Sequence, residues 1–130
     1  MLFDSDGKMI EDSRPIGDIG ISLETQNAIK NCFLGSVLAS TKLLPNDSFS
    51  IKKLFGGKNG DWSETPLQEL YDHYARLGND ETTAMDNARK DAGKLLKTLL
   101  IKLEKRSFRV KKIHQQGHDV NEYCLIINEE

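Results

Sequence analysis

Ten lysines and arginines fall within residues 89–112, against only Asp91 and Glu104, and that run is the strongest chemical feature of the sequence. The whole chain carries a net charge of −2, so the acids lie elsewhere and the cations are concentrated. A local excess of this kind attracts anions even on a slightly acidic molecule. Lys90, Lys94, Lys97, Lys105, Arg106, Arg109, Lys111 and Lys112 are the candidate contacts to phosphate groups, because several cations spaced along one surface can follow a nucleic-acid backbone and release its counterions. An acidic protein is the other anionic partner such a surface would suit. The competing reading is a solvated helix face, its charge countered by Asp119, Glu122, Glu129 and Glu130 from across the C-terminal segment.

Other constellations give less. Asp4-Ser5-Asp6-Gly7 resembles part of a calcium loop, but with Gly7 as the required glycine, Leu2 would stand first and Ser13 last among the ligands, which excludes an EF-hand. The Gly56-Gly57-Lys58-Asn59-Gly60 stretch has phosphate-cradle residue types without the cradle spacing and reads as a loop. His114 and His118 flank a predicted turn, with Cys124 the only thiol near in sequence, so no metal is implied. Cys32 lies on an apolar helix face, where a thiol behaves as a small hydrophobe. His73 follows Glu69 by one helical turn, a stabilising pair that needs no catalytic role. The pairs Glu11-Asp12 and Asp80-Glu81 fall at turns or helix starts, where acids complement the helix dipole. No catalytic group, metal or cofactor follows from these motifs; the sequence favours a non-enzymatic protein, with an enzyme whose site no motif announces as a third option.

The elements that must position the cations are legible from periodicity and punctuation. Asp6-Gly7 marks a turn after a short strand, within a loosely ordered arm over residues 1–20. Ser22 caps a helix whose Ala28, Ile29, Cys32, Phe33, Ser36 and Val37 form one face, broadened by Leu34, Leu38, Leu43 and Leu44. A short helix over 48–55 follows Pro45-Asn46-Asp47 and ends at Gly56-Gly57. Thr65-Pro66-Leu67-Gln68 has the residues of a capping box, with Trp62 as the staple, for a helix running from Pro66 to Gly78 and burying Leu67, Leu70, Tyr71, Tyr74 and Leu77. Asn79 or Asp80 then caps a long helix over 80–104. Its apolar stripe runs from Met85 to Leu103, with Lys90, Lys94, Lys97 and Lys105 opposite and Ile101 stranded on the lysine side. Gly93 inside it implies either a close packing partner or a break into two helices. Residues 108–127 read as a β-hairpin, with a bulge where Lys111-Lys112-Ile113 slips phase and a loop over 115–119.

Residues 1–130 are therefore expected to form one α+β domain, predominantly helical, with four to five helices and a C-terminal β-hairpin. The order of elements in the second half resembles a winged helix-turn-helix domain, in which a helix enters the major groove and a hairpin lies beside it. The required turn would fall at Gly93, where the apolar stripe keeps its phase, and lysines rather than base-reading residues dominate, so the resemblance implies charge-led binding. No apolar run approaches a membrane span, the N-terminus lacks a signal-peptide pattern, and two widely separated cysteines give no disulfide framework; the expected compartment is the cytoplasm. The function expected is a small binding or regulatory protein whose basic helix and hairpin engage nucleic acid. The alternative is an assembly protein, such as a homodimer, that joins through Leu34, Leu38 and Ile101 and has a merely solvated lysine face.

Overall fold

Caps and apolar spacing set where each helix begins and what it buries. The computed structural model describes residues 1–11, 20–56, 62–115 and 118–127. The arm over 12–19, most of the glycine loop (57–60), the hairpin tip at Gln116-Gly117 and the acids Glu129 and Glu130 lie outside the described residues, as do the side chains of His118 and Asp119. In chain order the elements are β1 (Leu2–Phe3), β2 (Met9–Ile10), α1 (Leu23–Leu43), α2 (Ile51–Phe55), α3 (Gln68–Arg76), α4 (Glu81–Lys102), β3 (Phe108–Gln115) and β4 (His118–Leu125). The architecture is α+β: four helices and a four-stranded mixed sheet whose last two strands form the hairpin.

Ser22 caps α1 by accepting from the Thr25 N–H at 3.1 Å, and Gln26, Ile29, Phe33, Val37 and Thr41 recur along its buried face. Leu43 and Leu44 leave that face and are 77% and 56% exposed, because the last turn of α1 runs past the core. Ser50 caps α2, shorter than the 48–55 expected, and Gly56 closes it at φ 101°. Asp80 caps α4 through a 2.8 Å bond from the Thr83 N–H. Ala84, Ala88 and Ala92 are buried on α4, and small side chains there let α3 pack closely along it.

Four local expectations are corrected. Thr65 does not close a capping box: its hydroxyl donates to the Trp62 carbonyl at 2.7 Å, and the Gln68 amide donates to Asp72. The N–H groups of Gln68, Glu69 and Leu70 instead reach back three residues, so tight turns lead into α3 and Pro66 stands outside it. Burial of both Trp62 and Leu67 draws this stretch into the core and overrides the cap. Leu77 is 66% exposed, since the chain turns away at Gly78, φ 90°. α4 runs unbroken through Gly93, and a Cβ there would meet nothing within 4 Å, so neither a break nor a close partner accounts for that glycine. The turn a helix-turn-helix would need at that point is not made. β3 and β4 pair in continuous register from Phe108↔Leu125 to Gln115↔His118, with no bulge at Lys112. The phase can slip without one because the far half of the hairpin extends beyond the core, so Lys112 can share the face of Phe108 and Val110 without burial.

The sheet order is β2-β1-β3-β4, with β1 antiparallel to β2 and parallel to β3. Residues 1–11 are thus part of the sheet rather than a loose arm. Leu2 is fully buried beside Phe108, and the Met1 amine donates to the carbonyls of Leu103 and Arg106. Asp4 and Gly7 make the turn between β1 and β2 at φ 83°. Phe49 extends the other edge by pairing with Tyr123, and its ring stacks on Tyr123 and meets Phe108 edge-on at 5.8 Å. One apolar cluster joins this sheet face to α1, α3 and α4. Ile101 packs partly buried against that cluster, so it is not stranded on the lysine side.

Candidate anion-binding groove

α4 carries Lys90 and Lys94 exposed and Lys97 half-buried, three or four residues apart and therefore on one side of the helix. Next to Lys97 a cavity of about 430 Å³ opens between α4, the hairpin and the β1–β2 turn. Lys111 and Lys112 from β3 and Asn121 from β4 line it with Lys97, over a floor that includes Ile10 and Val110. Asn121 stands directly opposite Lys112 in the hairpin register. The groove thus has lysines from two consecutive elements, α4 and β3, joined by residues 103–107.

One acid, Asp4, borders this cavity. Its Oδ1 accepts from the N–H groups of Asp6 and Lys8, both at 2.9 Å, so the carboxylate holds its own turn. Glu122 faces Lys111 in the register, yet it pairs instead with Lys53 of α2 at 2.9 Å and accepts from Ser48 at 3.2 Å. Among the described residues, none of Lys90, Lys94, Lys97, Lys111 and Lys112 forms an ion pair with a carboxylate. The countercharge expected from Glu122 is therefore spent on α2.

The remaining cations lie elsewhere. Lys105 and Arg106 sit past the end of α4, where with Lys102, Leu103, Leu34 and Leu38 they border a second cavity of about 370 Å³ against α1. Arg106 also donates to the Thr41 hydroxyl at 3.3 Å. Arg109 pairs across β3 with Phe3 on one side and Cys124 on the other, on the sheet face opposite Phe108. Of the eight predicted positions, Lys97, Lys111 and Lys112 line the cavity, Lys90 and Lys94 lie further along the same side of α4, Lys105 and Arg106 sit beside α1, and Arg109 is on the sheet face opposite Phe108, a face that strand alternation gives to Lys111 as well.

Asp91, counted in the sequence as a charge within the basic run, is buried on the α3 side of α4 at 4% exposure. Tyr74 donates its hydroxyl to the Asp91 carboxylate at 2.5 Å. Burial first, and then the adjacent carboxylate, push the Tyr74 phenol up to about 12. At 100° per residue Asp91 falls between the edge of the apolar stripe and Lys94, so helical angle alone does not separate it from the charged side.

The other sequence candidates are placed without reaction chemistry. Cys32 is half-buried and its thiol is pushed up by burial, as expected of a packing residue. Glu69 pairs with Arg76 at 3.4 Å, while the His73 ring meets Tyr74 edge-on at 5.0 Å and closes on Gly20, where a Cβ would collide with the imidazole. Among the described residues no three His, Cys, Asp or Glu side chains converge, and no helix is long and apolar enough to cross a membrane. Comparison with family models, curated proteins and solved structures finds no match to the chain.

Proposed function

We propose that this protein binds nucleic acid through its phosphates, without catalysis, using the α4 and β3 lysines around the groove. The observation that supports this reading is that Lys97 of α4 and Lys112 of β3 line one cavity, with Lys94 and Lys90 continuing along α4 and with Asp4 and Glu122 engaged in other contacts. Lysines act here as point charges, so contact would follow the backbone rather than read base edges. Arg109, Lys105 and Arg106 would add to the long-range field without touching the same phosphates. A gel-shift series with duplex and single-stranded oligonucleotides tests this. Retention at low salt should fall with a log–log slope of roughly −0.9 per phosphate contacted on duplex. Absence of retention at low salt removes the reading.

A second reading is favoured by α1, where half-buried Leu34 and Leu38 border the smaller cavity and Leu43 and Leu44 are exposed. These positions would form the contact of a homodimer. Light scattering over a concentration series should then show mass rising toward twice 14.7 kDa, and Leu38→Lys should abolish the rise. A constant monomer mass excludes it.

A further inference from the structure

Among the described residues, the helices cover only one face of the sheet. Leu2, Ile10, Phe108, Val110, Tyr123 and Leu125 belong to or pack against the core cluster. Their strand neighbours alternate to the other face. Register places Met9 of β2, Phe3 of β1, Arg109 of β3 and Cys124 of β4 in one row across all four strands, at roughly 4.8 Å per strand. Lys111 follows Arg109 on this face, and the pair Ile113 and Val120 lies further along the hairpin. The apolar residues here stand outside the core cluster: Met9 is 44% exposed, Cys124 is exposed, and Phe3, Ile113 and Val120 are half-buried. Neither Arg109 nor Lys111 forms an ion pair among the described residues, and Glu122, opposite Lys111, is held by Lys53.

An open, partly apolar surface with unpaired positive charge favours one kind of occupant. A second copy fits poorly, because a two-fold axis through the face would turn Arg109 and Lys111 toward their own copies. A duplex fits poorly too, since it hides the faces of its bases in its own stack. An unpaired base offers a planar apolar face together with a phosphate, and both a phenyl ring and a guanidinium plane can stack on it. Phe3 and Arg109 are direct neighbours in the register. Resting on the nucleic-acid reading above, we propose that this open sheet face is a stacking platform for the unpaired bases of a single strand, with bases on Phe3 and Arg109 and the phosphate chain passing Lys111. A lysine could not replace Arg109 there, because a point charge has no plane to stack.

Fluorescence anisotropy with a labelled single strand, the same strand made abasic over its central positions, and its duplex tests the platform. The intact strand should bind about tenfold more tightly than the abasic one, the scale of one stacked base. Phe3→Leu with Arg109→Lys keeps an apolar side chain and the charge but removes both planar surfaces. It should erase that difference and leave duplex affinity unchanged; circular dichroism checks that the variant is folded. In the unaltered protein, the amide resonances of Phe3, Met9, Arg109 and Cys124 should shift with the intact strand and much less with the abasic one. Equal affinity for intact and abasic strands, with binding retained, overturns the platform and leaves the phosphate-binding reading standing. Absence of binding by any oligonucleotide overturns both, and shifts of the same resonances by poly-glutamate alone would then give the face to an acidic protein.

Discussion

On the flank of α4 that meets α3, the carboxylate of Asp91 is buried and held by the Tyr74 hydroxyl at 2.5 Å. On the side that meets the hairpin, Lys97 is half-buried, lines a cavity and makes no ion pair with a carboxylate among the described residues. The first arrangement completes itself: a buried acceptor has its donor, and breaking either half leaves a polar atom without water or partner. The second leaves the ammonium without a carboxylate partner among the described residues, so an anion can reach it without displacing one. One helix therefore carries a flank closed by a buried hydrogen bond and a flank whose cation has no carboxylate partner among the described residues.

The largest effect that could break this comparison lies on the Tyr74 side. Tyr74→Phe removes the hydroxyl and leaves Asp91 buried, and should cost about 1–3 kcal/mol in urea unfolding. A cost near zero would mean that Asp91 finds water as readily as Lys97 does. Alkali probes the same flank together with the sheet. Burial is the leading cause that pushes Tyr74 and Tyr123 up to about 12, whereas an unfolded tyrosine titrates near 10.0. The unfolded chain then loses its phenolic protons first, so this contribution is intact below pH 10 and declines as pH rises from there toward 12. The urea midpoint followed upward through that range should fall, and should fall less in Tyr74→Phe. A smaller effect is expected at Gly93, where a Cβ meets nothing within 4 Å. Gly93→Ala should stabilise by up to about 1 kcal/mol and leave oligonucleotide affinity unchanged. The smallest is at Lys97: Lys97→Gln should shift stability by no more than about 0.5 kcal/mol while weakening oligonucleotide binding. A stability loss beyond 1 kcal/mol would make Lys97 part of the scaffold and end the contrast.

Features set by a few adjacent residues could be read from the sequence. Ser22 and Asp80 cap their helices as expected, Asp6-Gly7 makes its turn, and the hairpin pairs where alternation begins at Phe108. Thr65-Pro66-Leu67-Gln68 misled because a local cap worth about 1 kcal/mol competes with burying Trp62 and Leu67, and the core prevails. The place of β1 was beyond reach: two residues carry no periodicity, and their partner strand lies a whole chain length away. At the site, the spacing of Lys90, Lys94 and Lys97 on one helical face was legible. The fate of their countercharges was not, since whether Glu122 turns to Lys111 or to Lys53 depends on where α2 docks.

The position of β1 inside the sheet carries a consequence for how the molecule is made. The Met1 amine bonds the Arg106 carbonyl across 105 positions, and Leu2 lies between β2 and β3. On a ribosome the helices can assemble as they emerge, because α3 and α4 are neighbours in sequence and in space. The strand they leave behind must wait, its apolar residue uncovered, until β3 clears the exit tunnel. Sheet closure then follows helix assembly, and in the interval between them the apolar residue of β1 is open to chaperones and proteases.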